Sequence, residues 1–127
     1  MKILLLVKDA SFSETLTEAL TDQGYTVYAV CNSKAAWNQL RDTHYDLMLL
    51  DILFPKLDGV NFCRNLRSHG YCLPIFLMTE PDIGVNKMIG WGAGADEYFL
   101  KPFDLQSLNA RIRAYWRNQV PLSPFPA

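Results

Sequence analysis

The sequence predicts an α/β fold in which helices cover both faces of a parallel sheet. Short apolar or β-branched segments alternate five times with segments of helical periodicity. The third short segment, residues 46–50, is almost continuously apolar, which is typical of a strand covered on both faces. Five β-then-α units in succession imply right-handed crossovers and therefore parallel strands.

Each predicted strand is rich in apolar or β-branched residues and is bounded by turn residues or charges. The segment TVYAV is a typical case, because three of its five residues are β-branched and one is aromatic. The predicted strands are residues 2–7, 26–30, 46–50, 74–78 and 98–100.

The predicted helices follow from apolar periodicity and from residues that start or stop a helix. The S-x-x-E pattern from Ser11 to Glu14 predicts a capping box for the first helix, and Gly24 is predicted to end it. Asn32 or Ser33 can cap the second helix. Three more helices are expected at residues 59–69, 82–91 and 105–118, of which the second is the weakest because it contains glycines.

Length and composition indicate one domain, residues 1–118, followed by a Pro-rich linker or tail, residues 119–127. The chain has 127 residues, half of them hydrophobic, and can therefore bury a core. Its net charge of −1 gives no general attraction to nucleic acid or anionic membrane, and no apolar run reaches membrane-spanning length. The three cysteines show no metal-ligand spacing, so we expect buried thiols in a cytoplasmic protein.

Charged or hydroxylic residues stand at the ends of four predicted strands. Asp51 ends the third strand, and Asp9 follows the first. Thr79 and Lys101 follow the fourth and fifth strands. Because parallel strands end at the same edge of a sheet, we expect these four side chains to converge in the crevice outside that edge.

The chain resembles the receiver domain of two-component response regulators over nearly all of residues 1–118. Four motifs in order carry the resemblance: KILLLVKD at 2–9, DLMLLDILFPKLDG at 46–59, PIFLMT at 74–79 and GADEYFLKPFDL at 94–105. It implies a flavodoxin-like, doubly wound (βα)5 sandwich with a five-stranded parallel sheet of order 2-1-3-4-5. The stretch LNARIRAYWR in the last helix is similar to the subclass that is joined to a winged-helix DNA-binding domain.

The resemblance implies a role for each side chain at the strand ends. Asp51 matches the phosphoacceptor, whose carboxylate forms an acyl phosphate. Asp9 matches a carboxylate that holds Mg²⁺ together with Asp51 and the backbone carbonyl of Leu53, although Asp9 is also a candidate N-cap. Thr79 matches the hydroxyl that binds a phosphoryl oxygen. Lys101 matches the ammonium that pairs first with the carboxylate and then with the phosphoryl group.

The resemblance also implies a switch and an output face. Tyr98 matches the aromatic residue that turns inward in the active form, with an ordinary sheet aromatic as the alternative. Four charged residues match positions that form inter-subunit salt bridges, and a solvated charged face is the alternative there. They are Lys87, Asp96, Glu97 and Arg111. We therefore expect a homodimer through the predicted fourth helix, the fifth strand and the last helix.

Two positions depart from the family pattern. Lys8 stands where the family usually has a second acid, and Glu80 stands where a small residue is usual. The two acids and two lysines expected in the pocket then sum to zero charge without a metal ion. Lys8 either pairs directly with Asp51 or projects into solvent and leaves a weakened Mg²⁺ site. Glu80, if it points inward, restores one negative charge.

These matches predict a signal-transducing receiver that accepts a phosphoryl group on Asp51 from a sensor histidine kinase. It would regulate transcription through a DNA-binding domain outside this chain, and it would be no enzyme beyond its own phosphorylation and dephosphorylation. The alternative is a pseudo-receiver that binds a protein or ligand without Mg²⁺ or phosphate. The first turn lacks the Gly-rich pattern of dinucleotide-binding enzymes, and Leu53 replaces the second acid of D-x-D phosphatases.

Overall fold

A parallel five-stranded sheet forms the centre of the molecule, in the order β2-β1-β3-β4-β5. This computed structural model describes residues 1–51, 58–79, 94–101 and 104–119. The order confirms the predicted topology, and every pair of neighbouring strands is parallel. The strands are β1 (Lys2–Leu6), β2 (Thr26–Val30), β3 (Leu47–Asp51), β4 (Ile75–Thr79) and β5 (Glu97–Leu100).

Four helices connect or follow these strands within the described residues. They are α1 (Ala10–Asp22), α2 (Ser33–Asp42), α3 (Asp58–Ser68) and the C-terminal helix α4 (Leu105–Gln119). The starts of all four helices, and the ends of α1, α3 and α4, lie within one or two residues of the predicted bounds. The helix predicted at residues 82–91 and the tail beyond residue 119 lie outside the described residues.

The alternation of side chains along each strand divides the core into two layers. On one face Leu4, Leu50 and Leu77 pack with residues of α2 and α3. On the other face Leu5, Leu49 and Phe76 pack with residues of α1 and α4. Every residue of β3 is buried, as its continuous apolar pattern predicts for a strand covered on both faces. The last of these buried residues is a carboxylate.

The start of α1 corrects one prediction. Ser11 lies inside the helix, and Asp9 is the N-cap: its Oδ1 accepts a hydrogen bond from the backbone N of Phe12 at 3.2 Å. Because β1 ends at Leu6, the chain has already turned by Asp9, so the helix begins before the S-x-x-E pattern can cap it. The end of α1 agrees with prediction, since Gly24 follows the C-cap with φ of 95°.

The cysteines correct a second prediction, because only Cys63 is buried. It fills core space under α3, and burial raises the pKa of its thiol to about 11. Cys31 follows the end of β2 and Cys72 lies in the turn before β4, so both thiols are exposed. Cys31 and Cys72 are free thiols. Over the described ranges, no helix combines the length and apolar character needed to cross a membrane.

Candidate functional site at the carboxyl edge of the sheet

Asp51 ends the central strand, and its side chain is only 10% exposed. Within the described ranges it is the one charged residue that is buried. A carboxylate removed from water needs a compensating charge or hydrogen bonds. Lys101 supplies one, since its Nζ donates to Oδ2 of Asp51 at 2.8 Å. The Lys101 side chain is itself 17% exposed, so the ion pair sits in a largely water-excluded pocket.

The sheet register brings the strand ends to this pocket. Asp51 is opposite Met78 on β4, and Thr79 is opposite Leu100 on β5. Lys101 follows Leu100 directly, which places it one residue beyond the sheet edge. The strand β4, which ends at Thr79, therefore lies between β3, which ends at Asp51, and β5, which leads to Lys101. The side chain of Thr79 lies outside what the structure describes.

Asp9 reaches the same edge from β1, the neighbour of β3 on the other side. Its Oδ1 caps α1, as described above. Its Oδ2 has no hydrogen-bond partner among the described residues. The predicted metal ligand and the alternative N-cap are thus compatible, because the capping bond uses only one of the two carboxylate oxygens.

Phe12 is a member of this site that the sequence reasoning missed. Its ring lies under the ammonium of Lys101, with Nζ 4.7 Å from the ring centroid. In the sequence Phe12 is one of several apolar positions of α1, and nothing marks it as different. Only the packing of α1 against the sheet edge brings the ring to Lys101.

Lys8 immediately precedes Asp9 in the turn after β1. It is exposed, and within the described part of the chain it forms no ion pair with Asp9 or Asp51. It lines a cleft between α1 and the end of β2 together with Tyr28. Of the two alternatives, the structure therefore places Lys8 toward solvent. Glu80 and Leu53 lie outside the described residues.

The donor set fits Mg²⁺. Asp9 and Asp51 offer carboxylate oxygens, the hard ligands that Mg²⁺ prefers, and Mg²⁺ is usually bound in proteins through one or two carboxylates and several waters. No cluster of three or more acidic, histidine or cysteine side chains suited to a metal occurs over the described ranges. Asp9 and Asp51 are thus the described carboxylates that would hold such an ion.

The predicted switch residue Tyr98 is half-buried on β5, opposite Leu77 of β4. It packs against the core layer beneath α2 and α3. This position is common to a switch aromatic and to an ordinary sheet aromatic, so both interpretations stay open.

The charged residues predicted for a dimer face have partners within the chain. Arg111 on α4 donates to Glu97 on β5 at 2.7 Å, and Arg111 is 57% exposed. Asp96 is bound instead by Arg67 at 2.8 Å and by the hydroxyl of Tyr115 at 2.9 Å. Lys87 lies outside the described residues.

The fold and the strand-end residues define a member of a known family. The model of the response regulator receiver domain matches residues 3–113. The chain belongs to this family.

Several relatives are response regulators or transcriptional regulators. Over 126 residues the chain is 43% identical to protein RcaC of Microchaete diplosiphon, covering 99% of this chain and 19% of RcaC. It is 38% identical to the response regulator MprA of Mycobacterium avium, covering 95% of this chain and 53% of MprA. It is also 38% identical to the transcriptional regulatory protein BasR of Escherichia coli, covering 92% and 53%. The chain thus spans about half the length of MprA and BasR, and less of RcaC.

Solved structures agree on the fold. A two-component response regulator from Clostridium difficile superposes with a TM-score of 0.88 at 26% identity, covering 95% of this chain and 99% of that one. The BeF3-activated receiver domain of RstA from Klebsiella pneumoniae gives a TM-score of 0.85 at 30% identity, covering 92% and 99%.

Proposed function

We propose that this chain is a phosphoryl-accepting receiver domain with Asp51 as the acceptor. The observation that carries the proposal is the buried Asp51 carboxylate at the end of the central strand, 2.8 Å from the ammonium of Lys101. A largely dry pocket that holds a carboxylate beside a flexible cation has both the nucleophile and its counter-charge already in place. Family membership supports the same role.

The chemistry follows from these two side chains. A carboxylate oxygen of Asp51 attacks the phosphorus of a phosphohistidine, the bond from phosphorus to the histidine nitrogen breaks, and the nitrogen keeps the electron pair. The acyl phosphate adds negative charge beside Lys101, so the ammonium moves from the carboxylate to a phosphoryl oxygen. Attack by water later releases phosphate and regenerates the carboxylate.

We assign supporting roles to the other predicted residues. Asp9 and Asp51, with the backbone carbonyl of Leu53, would hold Mg²⁺, which when bound offsets the charge on the phosphoryl oxygens. The hydroxyl of Thr79 would bind a phosphoryl oxygen, and Tyr98 would follow it inward.

The biological output is proposed from the relatives. MprA is named a response regulator and BasR a transcriptional regulatory protein. We infer that a sensor histidine kinase phosphorylates this chain in the cytoplasm and that the signal passes to a DNA-binding domain outside it. A homodimer would form through Glu97, Arg111 and Lys87, with Arg111 exchanging its intrachain partner for Glu97 of a second copy. Asp96, which Arg67 binds within the chain, is the fourth residue proposed for this face.

The acceptor is tested by intact-protein mass spectrometry after incubation with acetyl phosphate and Mg²⁺. We expect the mass of one phosphoryl group on the wild-type protein and none on Asp51→Asn. Asp22→Asn, which changes an exposed acid on α1, is the matched control and should label like wild type. An unlabelled wild-type protein, or equal labelling of Asp51→Asn, would contradict the proposal.

The metal role of Asp9 is tested separately from its capping role. Asparagine caps a helix about as well as aspartate, so Asp9→Asn should keep stability within about 0.5 kcal/mol of wild type while weakening Mg²⁺ binding in calorimetric titrations. Asp9→Ala should weaken binding equally and also lower stability by about 1 kcal/mol. Unchanged Mg²⁺ affinity in Asp9→Asn would remove Asp9 from the metal site.

The second candidate function is a pseudo-receiver that binds a partner without phosphate. Lys8 favours it, because the usual second acid beside Asp9 is missing and the pocket offers one carboxylate fewer to Mg²⁺. A wild-type protein that shows neither Mg²⁺ binding nor labelling would support this alternative.

A further inference from the structure

We infer that Phe12 is a positioning residue for phosphoryl transfer, and that its aromatic face holds the Lys101 ammonium inside the Asp51 pocket. The inference rests on the proposed function. Two distances carry it: Nζ of Lys101 lies 2.8 Å from Oδ2 of Asp51 and 4.7 Å from the centroid of the Phe12 ring. The ammonium thus lies between a carboxylate and the face of a ring, both of which attract a cation.

The ring is placed by two constraints that do not involve Lys101. Phe12 is the third residue of α1, and its backbone N donates to the capping carboxylate of Asp9 at 3.2 Å. Its side chain is half-buried and packs against the core layer that contains Leu16 and Phe99. Cap and core together hold the ring over the sheet edge before Lys101 approaches it.

The ring matters because the carboxylate changes during the reaction. While Asp51 is ionised, its carboxylate oxygens attract the ammonium, but in the acyl phosphate these two oxygens carry no formal charge and the negative charge lies further out, on the terminal phosphoryl oxygens. Lys101 ends in a flexible four-carbon stem, and the ammonium must move with that charge without leaving for solvent. The Phe12 ring does not change chemically during transfer, so its attraction for the ammonium persists and keeps the ammonium in the pocket.

The test compares Phe12→Leu, which keeps an apolar side chain and removes the π face, with Phe12→Tyr, which keeps the face. The first readout is the NMR shift of the Lys101 ε-CH₂ protons, which a ring beneath the ammonium moves upfield. We expect this ring-current shift in wild type and Phe12→Tyr and its loss in Phe12→Leu. Tyr28→Leu, which removes an exposed aromatic on β2, is the control and should leave the Lys101 signals unchanged.

The second readout is the rate of labelling by acetyl phosphate as donor concentration is varied. We expect Phe12→Leu to lower the maximal rate about three- to tenfold, with donor half-saturation little changed, and Phe12→Tyr to restore the rate. Unfolding curves of each variant establish that the protein is folded. A purely structural role would slow both variants in proportion to their loss of stability.

Each outcome decides one of the two proposals. Lys101 signals that are unchanged in Phe12→Leu overturn the contact, and a wild-type rate in Phe12→Leu overturns the positioning role. If no variant, wild type included, is labelled while the ring-current shift still depends on Phe12, the proposed function fails. The role of Phe12 in phosphoryl transfer then fails with it, although the contact itself is real.

Discussion

The two edges of the sheet each contain a partly buried ion pair, and the two pairs are built differently. At the carboxyl edge Lys101 contacts Asp51 at 2.8 Å, with side chains 17% and 10% exposed. At the amino edge Arg67 contacts Asp96, also at 2.8 Å, with side chains 24% and 27% exposed. Similar distance and burial therefore do not distinguish them. The difference lies in the partners around each pair.

The amino-edge pair belongs to a network of backbone and side-chain hydrogen bonds, which we call the Arg67 cluster. Asp96 Oδ2 accepts from Arg67 and from the backbone N of Ile75, and Oδ1 accepts from the hydroxyl of Tyr115. Arg67 also donates to backbone carbonyls at distances of 2.9, 3.1 and 2.7 Å, in the order Gly94, Tyr71 and Leu73. The cluster joins the end of α3, the starts of β4 and β5, and the second half of α4.

This comparison separates stability from reactivity. The guanidinium of Arg67 is planar and rigid, and its donors fit fixed backbone carbonyls, so the Arg67 cluster holds elements together. The ammonium of Lys101 is a point charge on a flexible stem, which can follow an oxygen as its charge changes. We conclude that the amino edge supports the fold, while the carboxyl edge is suited to chemistry.

The largest effect should come from Arg67→Ala. Removing the guanidinium takes the cation from beside Asp96 and leaves three backbone carbonyls without this donor, so the free energy of unfolding should fall by about 2–4 kcal/mol, less than for a fully buried pair. Arg64→Ala, at an exposed position of the same helix, is the matched control and should stay within about 0.5 kcal/mol of wild type in urea unfolding. Asp51→Asn at the carboxyl edge should lower the free energy of unfolding by less than Arg67→Ala does. Equal stability of the Arg67 and Arg64 variants would refute the structural role of the cluster.

The next effect tests how tightly the Arg67 cluster is packed. Gly94 has φ of +95°, and a Cβ built there would lie 2.8 Å from Cγ of Arg67. Gly70 has φ of +87°, and a Cβ built there would have no other atom within 4 Å. Gly70→Ala therefore introduces only the backbone strain. We expect Gly70→Ala to cost about 1 kcal/mol and Gly94→Ala about 1–3 kcal/mol.

A double variant isolates the contact with Arg67. In Arg67→Ala the clashing side chain is absent, so adding Gly94→Ala should cost no more than Gly70→Ala does. Urea unfolding of wild type, Arg67→Ala, Gly94→Ala and the double variant measures the coupling free energy between the two positions. Full additivity would show that Arg67 gives way to the new methyl group.

The sequence predicts the carboxyl edge well, because that edge follows from local patterns. Four strand ends are marked by Asp9, Asp51, Thr79 and Lys101, and parallel strands must end together. Their order along the chain therefore predicts their shared edge, and the topology confirms the sheet order. The phosphoacceptor role of Asp51 stays a prediction.

The amino edge was not predicted, because its contacts join residues far apart in sequence. Arg67 and Asp96 are 29 positions apart, and in the sequence Arg67 is one of several charged residues on a helix. The match to the family places Asp96 on an output face, which stays a prediction, and it gives no sign of the intrachain hydrogen bonds to its oxygens. The same limit applies to Phe12, whose contact with Lys101 depends on helix packing. Periodicity predicts which face of a helix is buried but does not predict which polar groups meet there.

The smallest predicted effect is a change with pH in the stability that the Tyr115 hydroxyl contributes to the Arg67 cluster. Burial, together with the hydrogen bond to Asp96, raises the pKa of Tyr115 from 10.0 to about 12. Below the unfolded value both states keep the phenol proton, and wild type should exceed Tyr115→Phe by about 1 kcal/mol from the hydrogen bond. Between the two pKa values the unfolded chain loses the proton while the folded chain keeps it. The advantage of wild type should therefore shrink as pH rises and vanish above the folded pKa.

Urea unfolding of wild type and Tyr115→Phe at about pH 8 and about pH 11 measures this change, since groups common to both proteins cancel in the difference. Tyr28→Phe, which removes an exposed phenol hydroxyl on β2, is the control for the loss of a hydroxyl. A difference between wild type and Tyr115→Phe that is constant across this range would mean that the phenol does not bind Asp96 in the folded protein. Tyr115 would then have to be removed from the Arg67 cluster, which would leave the Asp96 carboxylate held by Arg67 and the backbone of β4 alone.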